Sequence, residues 1–575
     1  MPQDALHYRI LAKELDKSLR GGRIEKIVAL SPDTLRFSVK NFKVLHHLII
    51  SSSASRTRCH LTSTVGTVME KPPSFVSHCK RHLAGGRVLD VSSILGERVI
   101  CIKVGTTNDL GDRKSFLLYC ELMGKHSNVI LVNDENKITD SLRHVPLDIS
   151  SKRQVLPGLP YTPPPTQNKT DPYDQISIKA VLEGFKGLNL DEYLLDNLQG
   201  LSSTTIDEII FNVFDDEIPD KLSAKDVEKL GIEIANILDE AKLSPCVRIF
   251  EDKKAGFFIK PYLSLVGEYQ STNSLNEAAD LYFTFVETHT VLNELERKFF
   301  TLVNGKVKKV EKKLGALITK KQSAESFEDE QIKGEILTAN LYRLKKGDTE
   351  CVADNYYIDP PTSITIPLDT QKSPSQNAQE FFKKAQKKKR TIENITPQIF
   401  EAESELEYLD SLLLSLKTAE SIEDYLEIRE ELKQNGLIKV KAANDKNKKG
   451  KSAEKENCLG SVKKTEFEGY VILTGKTNTQ NDALLKSAAP NDVWLHTKDI
   501  HGAHTIIVNP KKTLPNENII KRAAARTARY SKAALSENVP VDYTFAKFVH
   551  KHRGATPGKV IYTNQKTVYV TPEGG

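Results

Sequence analysis

The sequence predicts an α+β multidomain protein. Its parts are an antiparallel-sheet N-terminal domain, a helix-hairpin-helix unit, a long antiparallel coiled-coil arm and a C-terminal α/β domain. Three observations predict this. Short β-type runs separated by turns recur from Arg23 to Asn133. Apolar residues spaced by three and four run through 290–345 and again through 376–436. After a Lys-rich stretch at 441–460, strand-like runs resume to the end of the chain. A chain of 575 residues is too long for one core, so several folding units are expected.

The first domain spans 1–172 and returns at 243–288. Residues 5–20 read as a helix with Leu6, Ile10, Leu11, Leu15 and Leu19 on one side, and Gly21-Gly22 ends it. Strand runs follow at 23–30, 34–39 and 46–51. A helix at 73–83 closes on Gly85-Gly86, and further strands fall at 98–104, 115–121 and 128–133. Residues 173–242 read as short helices. Within NLQGLSSTT (197–205), Gly200 precedes small hydroxyl residues able to cap the next helix. Such a turn suits a helix-hairpin-helix unit whose amides hold a phosphate, and equally a plain bundle turn. CVRIF and GFFIKPYLSL, in the return segment, are expected to close the first sheet.

The arm spans 289–437. Leu292, Leu295, Phe299, Val303, Val307, Val310, Leu314 and Leu317 mark its outward seam. Gly347, Pro360, Pro361, Pro367 and Pro374 make a non-helical tip near 346–375. The return stretch carries Phe381, Phe382, Ile399, Leu406, Leu409, Leu413, Leu416, Leu426 and Ile428, and Pro397 is expected to kink or interrupt it. A mostly helical arm of this length reaches roughly 80 Å at 1.5 Å per residue. The intervening tip favours pairing within one chain over a dimerising coil. Residues 438–462 read as a Lys-rich flexible linker, and 463–575 as the last domain.

Composition narrows the function. The seven cysteines, at positions 59, 79, 101, 120, 246, 351 and 458, form no C-x-x-C pair. That argues against a zinc finger and a disulfide framework, and for a reducing compartment. The N-terminus lacks an unbroken apolar core, and no long apolar run spans a membrane, so a cytoplasmic protein with no membrane partner is expected. Net charge is +6, but 461–575 alone holds 17 Lys and Arg against 9 Asp and Glu. Positive charge concentrated on one folded domain suits a polyanion such as RNA. A basic solubility surface is the plainer alternative.

The most informative stretch is DVWLHTKDIHGAHTIIV at 492–508, which holds the only Trp, Trp494. Two apolar runs flank a polar loop, leaving Lys498, Asp499, His501 and His504 on the connection. Arg522, Arg526 and Arg529 recur at four and three on a helix expected over 517–532, which also carries Lys532. That face is a candidate for phosphate contact, joined by Lys547, Lys551, Arg553 and Lys559; an ordinary solvated face competes.

The pattern W-L-H-x-K-D-x-x-G-x-H resembles the signature of the NFACT-R domain. ELMGKHSNVILVN at 121–133 resembles that of the NFACT-N domain, formerly called the fibronectin-binding protein A N-terminal domain. Both stand in family order, and the likeness covers nearly the whole chain. It implies a ribosome-quality-control factor that binds an obstructed large ribosomal subunit carrying stalled peptidyl-tRNA. Such a factor recruits tRNA(Ala) and directs template-free C-terminal alanine tailing of the stalled nascent chain for degradation. The ribosome performs the peptidyl transfer, so the factor itself is not an enzyme and needs no cofactor or metal. The resemblance further implies tRNA contact through Asp4 and the pair Glu97-Arg98, where Glu97 replaces a family Asp. It implies RNA contact through His496, Lys498, Asp499 and His504, rRNA contact by the arm, and action as a monomer on the ribosome.

Rival readings have specific weaknesses. His496, His501 and His504 are enough imidazoles for a zinc site with an open position, but no carboxylate or Cys follows at ligand spacing. Pro2 and a helix-hairpin-helix unit resemble the DNA glycosylases with an N-terminal Pro nucleophile. Those require a Glu after the Pro, and the Gln3 amide here takes no proton. A fibronectin-binding surface adhesin needs an export route that the sequence does not display. No phosphate-loop or hydrolase motif occurs.

Overall fold

The computed structural model describes residues 3–107, 113–165, 168–187, 189–214, 218–219, 221–249, 256–438, 462–552 and 556–573. Pro2, Arg553 and nearly all of the linker expected at 438–462 lie outside the described residues. The chain divides into two compact units, Met1–Glu287 and Thr288–Gly575.

The first unit opens with α1 (Ala5–Leu19), whose Leu15 and Leu19 are fully buried. Gly21 takes φ +83°, which ends the helix and turns the chain into the sheet. Strands β1 (Arg23–Ser31), β2 (Thr34–Asn41), β3 (Val44–Ser51) and β4 (Arg58–Thr62) form one antiparallel meander. After α2 (Ser74–Leu83), β5 (Arg87–Ser93), β6 (Val99–Thr107), β7 (Arg113–Glu121), β8 (Asn128–Asn133) and β9 (Ile138–Ser141) form a second. They join through β1 and β5 into a nine-stranded sheet, β4-β3-β2-β1-β5-β6-β7-β8-β9. Ile100, Ile102, Leu118 and Cys120 share one apolar cluster with Leu11 and Leu15 of α1. The sequence gives little sign of β4, β5 and β9 because they are short and polar, and neighbouring strands supply their ladder bonds.

Helices α3 (Gln175–Glu183), α4 (Leu190–Asn197), α5 (Ser203–Phe214) and α6 (Ala224–Leu238) follow. The return segment corrects one expectation. Strands β10 (Cys246–Arg248), β11 (Gly256–Phe258) and β12 (Gln270–Ser271) pair with each other as a separate three-stranded sheet and do not close the first. From Leu275 the chain is helical: α7 runs Leu275–Glu325. Side chains far away in sequence fix that start. The Glu14 carboxylate accepts the backbone N–H groups of Leu275 and Asn276 at 3.0 and 2.8 Å, capping the helix. Asn276 bonds both the N–H and the carbonyl of Leu61 on β4, and Arg58 of β4 pairs with Glu287.

In the second unit α7 continues and is followed by α8 (Phe327–Ala339), β13 (Glu350–Asn355), β14 (Thr362–Pro367), α9 (Pro374–Thr418) and α10 (Ile422–Gln434). The non-helical tip holds the β13–β14 hairpin, with Cys351, Ala353 and Ile366 in a small core against Ile336, Leu337 and Ala378. Ser373 and Gln376 form a capping box, and Pro374 sits in the first turn of α9. Of the two expected outcomes, kink or interruption, the second is excluded: α9 passes through Pro397 without a break. A mid-helix Pro costs about 3 kcal/mol. Burial of Ile395 and Ala402 on either side offsets that cost. Phe299, Val303 and Val310 of α7 pack against Leu409, Leu412 and Leu416 of α9 and Ile428 and Leu432 of α10.

The chain ends in β15 (Lys463–Phe467), β16 (Tyr470–Thr474), α11 (Asn478–Ser487), β17 (Val493–Thr497), β18 (Thr505–Val508), α12 (Glu517–Arg529), β19 (Val539–Phe545), β20 (Val549–His550), β21 (Ile561–Tyr562) and β22 (Lys566–Val570). Six of these strands form an antiparallel sheet, β15-β16-β18-β17-β19-β22. Period-two alternation sends Val493, Leu495 and Ile507 into a cluster with α12. Trp494 and Ile506 point to the opposite face and pack with Leu484 of α11. Helix α12 stops at Arg529, so Lys532 lies in the turn beyond it, not on the helix as expected.

Candidate nucleic-acid interface

The apolar runs of the 492–508 stretch pair as β17 and β18, with Trp494 opposite Ile506 and Leu495 opposite Thr505. The same alternation puts His496 on the Trp494 face. The two rings stack with centroids 5.7 Å apart, and the His504 ring meets that of His496 edge-on at 5.3 Å. His504 is buried at 1% exposure; Lys498 and Asp499 are exposed on the connection, with Asp499 at φ +53°. Gly502 is required by close approach. A Cβ there would run into Thr497 Oγ1 and come within 3.0 Å of Ser531 Cβ. Tyr562 lies 4.8 Å from Trp494 between ring centroids.

A second constellation joins this domain to the arm. Lys476 and Asp424 form a buried ion pair at 2.6 Å. The Asp424 carboxylate also accepts from Gln480 Nε2 and from the N–H groups of Glu420 and Ser421. Burial alone would raise its pKa, but these donors, led by Lys476, hold it below the usual carboxylate value. Thr477 and Gln480 donate to Glu427, and Asn478 and Thr479 to Glu431. Asp424, Glu427 and Glu431 thus form one face of α10 against the N-terminal end of α11, where negative charge is favoured. Burial raises the pKa of Glu431. Around this joint Lys532 pairs with Asp410, Lys559 with Glu407 and Lys463 with Glu420.

The expected arginine face has partners within the chain. Arg526 is buried at 9% exposure, and Arg522 and Arg526 share Glu573, at 2.6 and 3.9 Å. Arg529 is half-buried against the Tyr530 ring. Lys551 pairs with Asp482.

In the first unit, three distant segments converge. The turn between α4 and α5 puts Gly200 at φ +75°, and its carbonyl accepts the Ala5 N–H at 2.9 Å. A Cβ on Gly200 would lie 3.0 Å from Ala5 Cβ and 3.1 Å from the Gly96 carbonyl. Asp4, at the start of α1, is buried at 1% exposure and accepts from Thr205 Oγ1. Its Oδ1 has no hydrogen-bond partner among the described residues. Glu97 accepts from Gln199 Nε2 at 3.3 Å, and burial raises its pKa. Arg98 follows it, half-buried. The structure therefore brings Asp4 and Glu97 together around the Gln199–Thr205 turn. It makes Asp4 an interior group, and Arg9 lines the same surface as Gly96, Gln199 and Gly200.

Comparison with known proteins decides the family. The model for "NFACT N-terminal and middle domains" matches residues 4–451, and that for "NFACT protein RNA binding domain" matches 462–564. The chain belongs to the NFACT family. The chain is 34% identical over 573 residues to the Rqc2 homolog RqcH of Bacillus subtilis (strain 168), covering 98% of this chain and 96% of that one. It is 30% identical to the Rqc2 homolog RqcH of Streptococcus pneumoniae serotype 2, covering 100% and 98%. Among solved structures, the fibrinogen binding protein from Staphylococcus aureus aligns with 48% of this chain and 97% of its own, at 26% identity and a TM-score of 0.42. Among the described residues no helix is long and apolar enough to cross a membrane.

Within this NFACT chain, the RNA binding domain match contains the histidine cluster and the lysines of the arm joint. Sequence reasoning missed the carboxylates of that joint and Tyr562. The spacing Asp424, Glu427, Glu431 was the available signal, since it marks one helix face.

The histidines make a pH prediction. Burial, then repulsion from His501, lowers the pKa of His496 from 6.5 to about 4, and burial holds His504 well below its ordinary value. Between those limits the unfolded chain binds a proton that the folded chain refuses. Stability is therefore full above pH 6.5 and falls as pH drops toward 4. For His496 alone the loss at pH 5 is about 2 kcal/mol. Urea unfolding followed by Trp494 fluorescence should show it, and His496→Gln should flatten the pH dependence. An unchanged slope would refute the neutral pair.

Proposed function

We propose that this chain is a ribosome-quality-control factor. It binds the large ribosomal subunit with its stalled peptidyl-tRNA and recruits tRNA(Ala). It then directs template-free alanine addition to the nascent chain, and the ribosome catalyses the transfer. It acts as a cytoplasmic monomer on the ribosome. The observation that carries this reading is that both NFACT regions occur in one chain that aligns nearly end to end with two bacterial proteins named as Rqc2 homologs. The first-unit patch supports it. There Glu97, which precedes Arg98 in the chain, bonds Gln199 in the Gly-containing turn between α4 and α5, a suitable arrangement for a tRNA phosphate at Arg98. The long paired helices supply the reach that an rRNA contact requires.

The test is purification from cells at low salt and sequencing of the RNA that accompanies the protein. Large-subunit rRNA with enriched tRNA(Ala) is expected. Arg98→Ala should reduce the tRNA share by roughly tenfold or more, the effect of losing a charged hydrogen bond, while rRNA is retained. Glu97→Asp should leave tRNA bound. Ribosomal RNA without tRNA would remove elongation from the reading, and DNA or no nucleic acid would overturn it.

A further inference from the structure

A cleft of about 460 Å³ opens in the second unit, where α9 faces the β17–β18 connection and the 556–562 segment. Its walls include Tyr408 and Leu414 of the arm and His496, His504, Tyr530 and Tyr562 of the RNA binding domain. That volume lies within the roughly 300–1,000 Å³ of small-ligand sites.

The lining is aromatic and polar together. The rings of His496 and Tyr562 flank the buried Trp494. At the rim stand the Asp499 carboxylate and Lys559, with exposed Lys498 next to Asp499 in the chain. Asn478 and Asn481 add amide groups from α11. One buried group is left unsatisfied. His504 lines the cleft at 1% exposure, yet its Nδ1 has no hydrogen-bond partner among the described residues. A buried polar atom without a partner is costly, and a ligand that bonds to it removes the cost. Burial keeps both His496 and His504 neutral at pH 7, so their rings present uncharged π-faces and mixed donor and acceptor edges.

Planar faces, hydrogen-bonding edges and cations at the rim match one ligand chemistry, a ribonucleotide. Unstacked RNA bases are held by stacking on His and Tyr and by hydrogen bonds to their edges. We propose that this cleft takes a single unstacked nucleotide of an RNA strand, with the base against His496 and Tyr562 and the adjoining phosphates at Lys498 and Lys559. The proposal rests on the RNA-binding reading and deepens it by assigning one base to one site. Lys559 pairs with Glu407 in the absence of RNA, and a phosphate would take over that cation.

The single tryptophan gives the test its readout. Full-length protein is titrated with a labelled single-stranded hexaribonucleotide, and separately with each ribonucleoside 5′-monophosphate. Trp494 emission reports the cleft and anisotropy of the labelled hexamer reports binding. Saturable quenching by the hexamer is expected. Ser411→Phe, which fills the cleft from α9, should weaken hexamer binding roughly tenfold, a typical loss for one stacked base. Tyr562→Leu should do so by removing a ring, and it replaces the first variant should that fail to fold. A hexamer that binds equally well to wild type and variant, without quenching, overturns the cleft and leaves RNA binding intact. Monophosphates that saturate as tightly as the hexamer overturn the RNA source. No binding of the hexamer or of cellular RNA sinks the RNA-binding reading itself.

Discussion

Asp424→Ala is expected to destabilise the second unit by about 3–5 kcal/mol, the cost of stranding a buried charge. The Lys476 side chain is 5% exposed and that of Asp424 is 0% exposed. Among the described residues, removing the carboxylate leaves the ammonium with only Glu420 as an ion-pair partner, 3.7 Å away and partly solvated. It also deprives Gln480 and the N–H groups of Glu420 and Ser421 of their acceptor. Lys476→Met combined with Asp424→Leu should recover much of the loss, because replacing both members avoids the stranded charge. Urea unfolding monitored at Trp494 completes the double-mutant cycle. A single substitution that costs under about 1 kcal/mol would mean that the joint carries surface-like pairs only.

Glu121→Ala is expected to cost the first unit a comparable amount. Glu121 opens the ELMGKH block that carries the NFACT-N resemblance, and it is 2% exposed. Arg153 grips it with two nitrogens, at 2.9 and 2.6 Å, and the buried Tyr161 hydroxyl donates to it at 3.1 Å. Tyr161 in turn stacks on Tyr119 with centroids 3.9 Å apart. Substitution would leave a guanidinium and a phenol without their acceptor, beside an apolar cluster of Ile130, Val132 and Val155. Thermal unfolding by circular dichroism checks it. Glu121→Gln should fall between wild type and Ala, since the amide keeps one acceptor. Equal melting of wild type and Glu121→Ala would show that the block owes nothing to this network.

The chemistry of the two domains was divided unevenly between sequence and structure. Trp494, His496 and Gly502 announced their site because a strand pattern and an unusual composition coincided in one short stretch. Their local geometry follows from period two alone. Helical spacing places the arginines of α12 on one face but says nothing of Glu573, which lies after the last strand and pairs with Arg522 and Arg526. The burial of Asp4 was not legible either: Thr205 and the turn at Gly200, about two hundred residues on, close over it.

By itself the sequence determined the class of the long elements. Apolar spacing of two or of three and four is a property of neighbouring residues, and it survives whatever the chain packs against. It determined where α1, the arm helices and the β17–β18 pair would form. Only the tertiary structure decided what the charges do. The lysines that read as a phosphate surface include Lys532 and Lys559, and each meets a carboxylate more than fifty residues away, as does Lys476. It also decided that α7 begins at Leu275, ahead of the arm expected from 289, because Glu14 and β4 supply the caps and anchors for its start. In both cases the deciding energy is a pairing between groups distant in the chain. No local pattern records such a pairing.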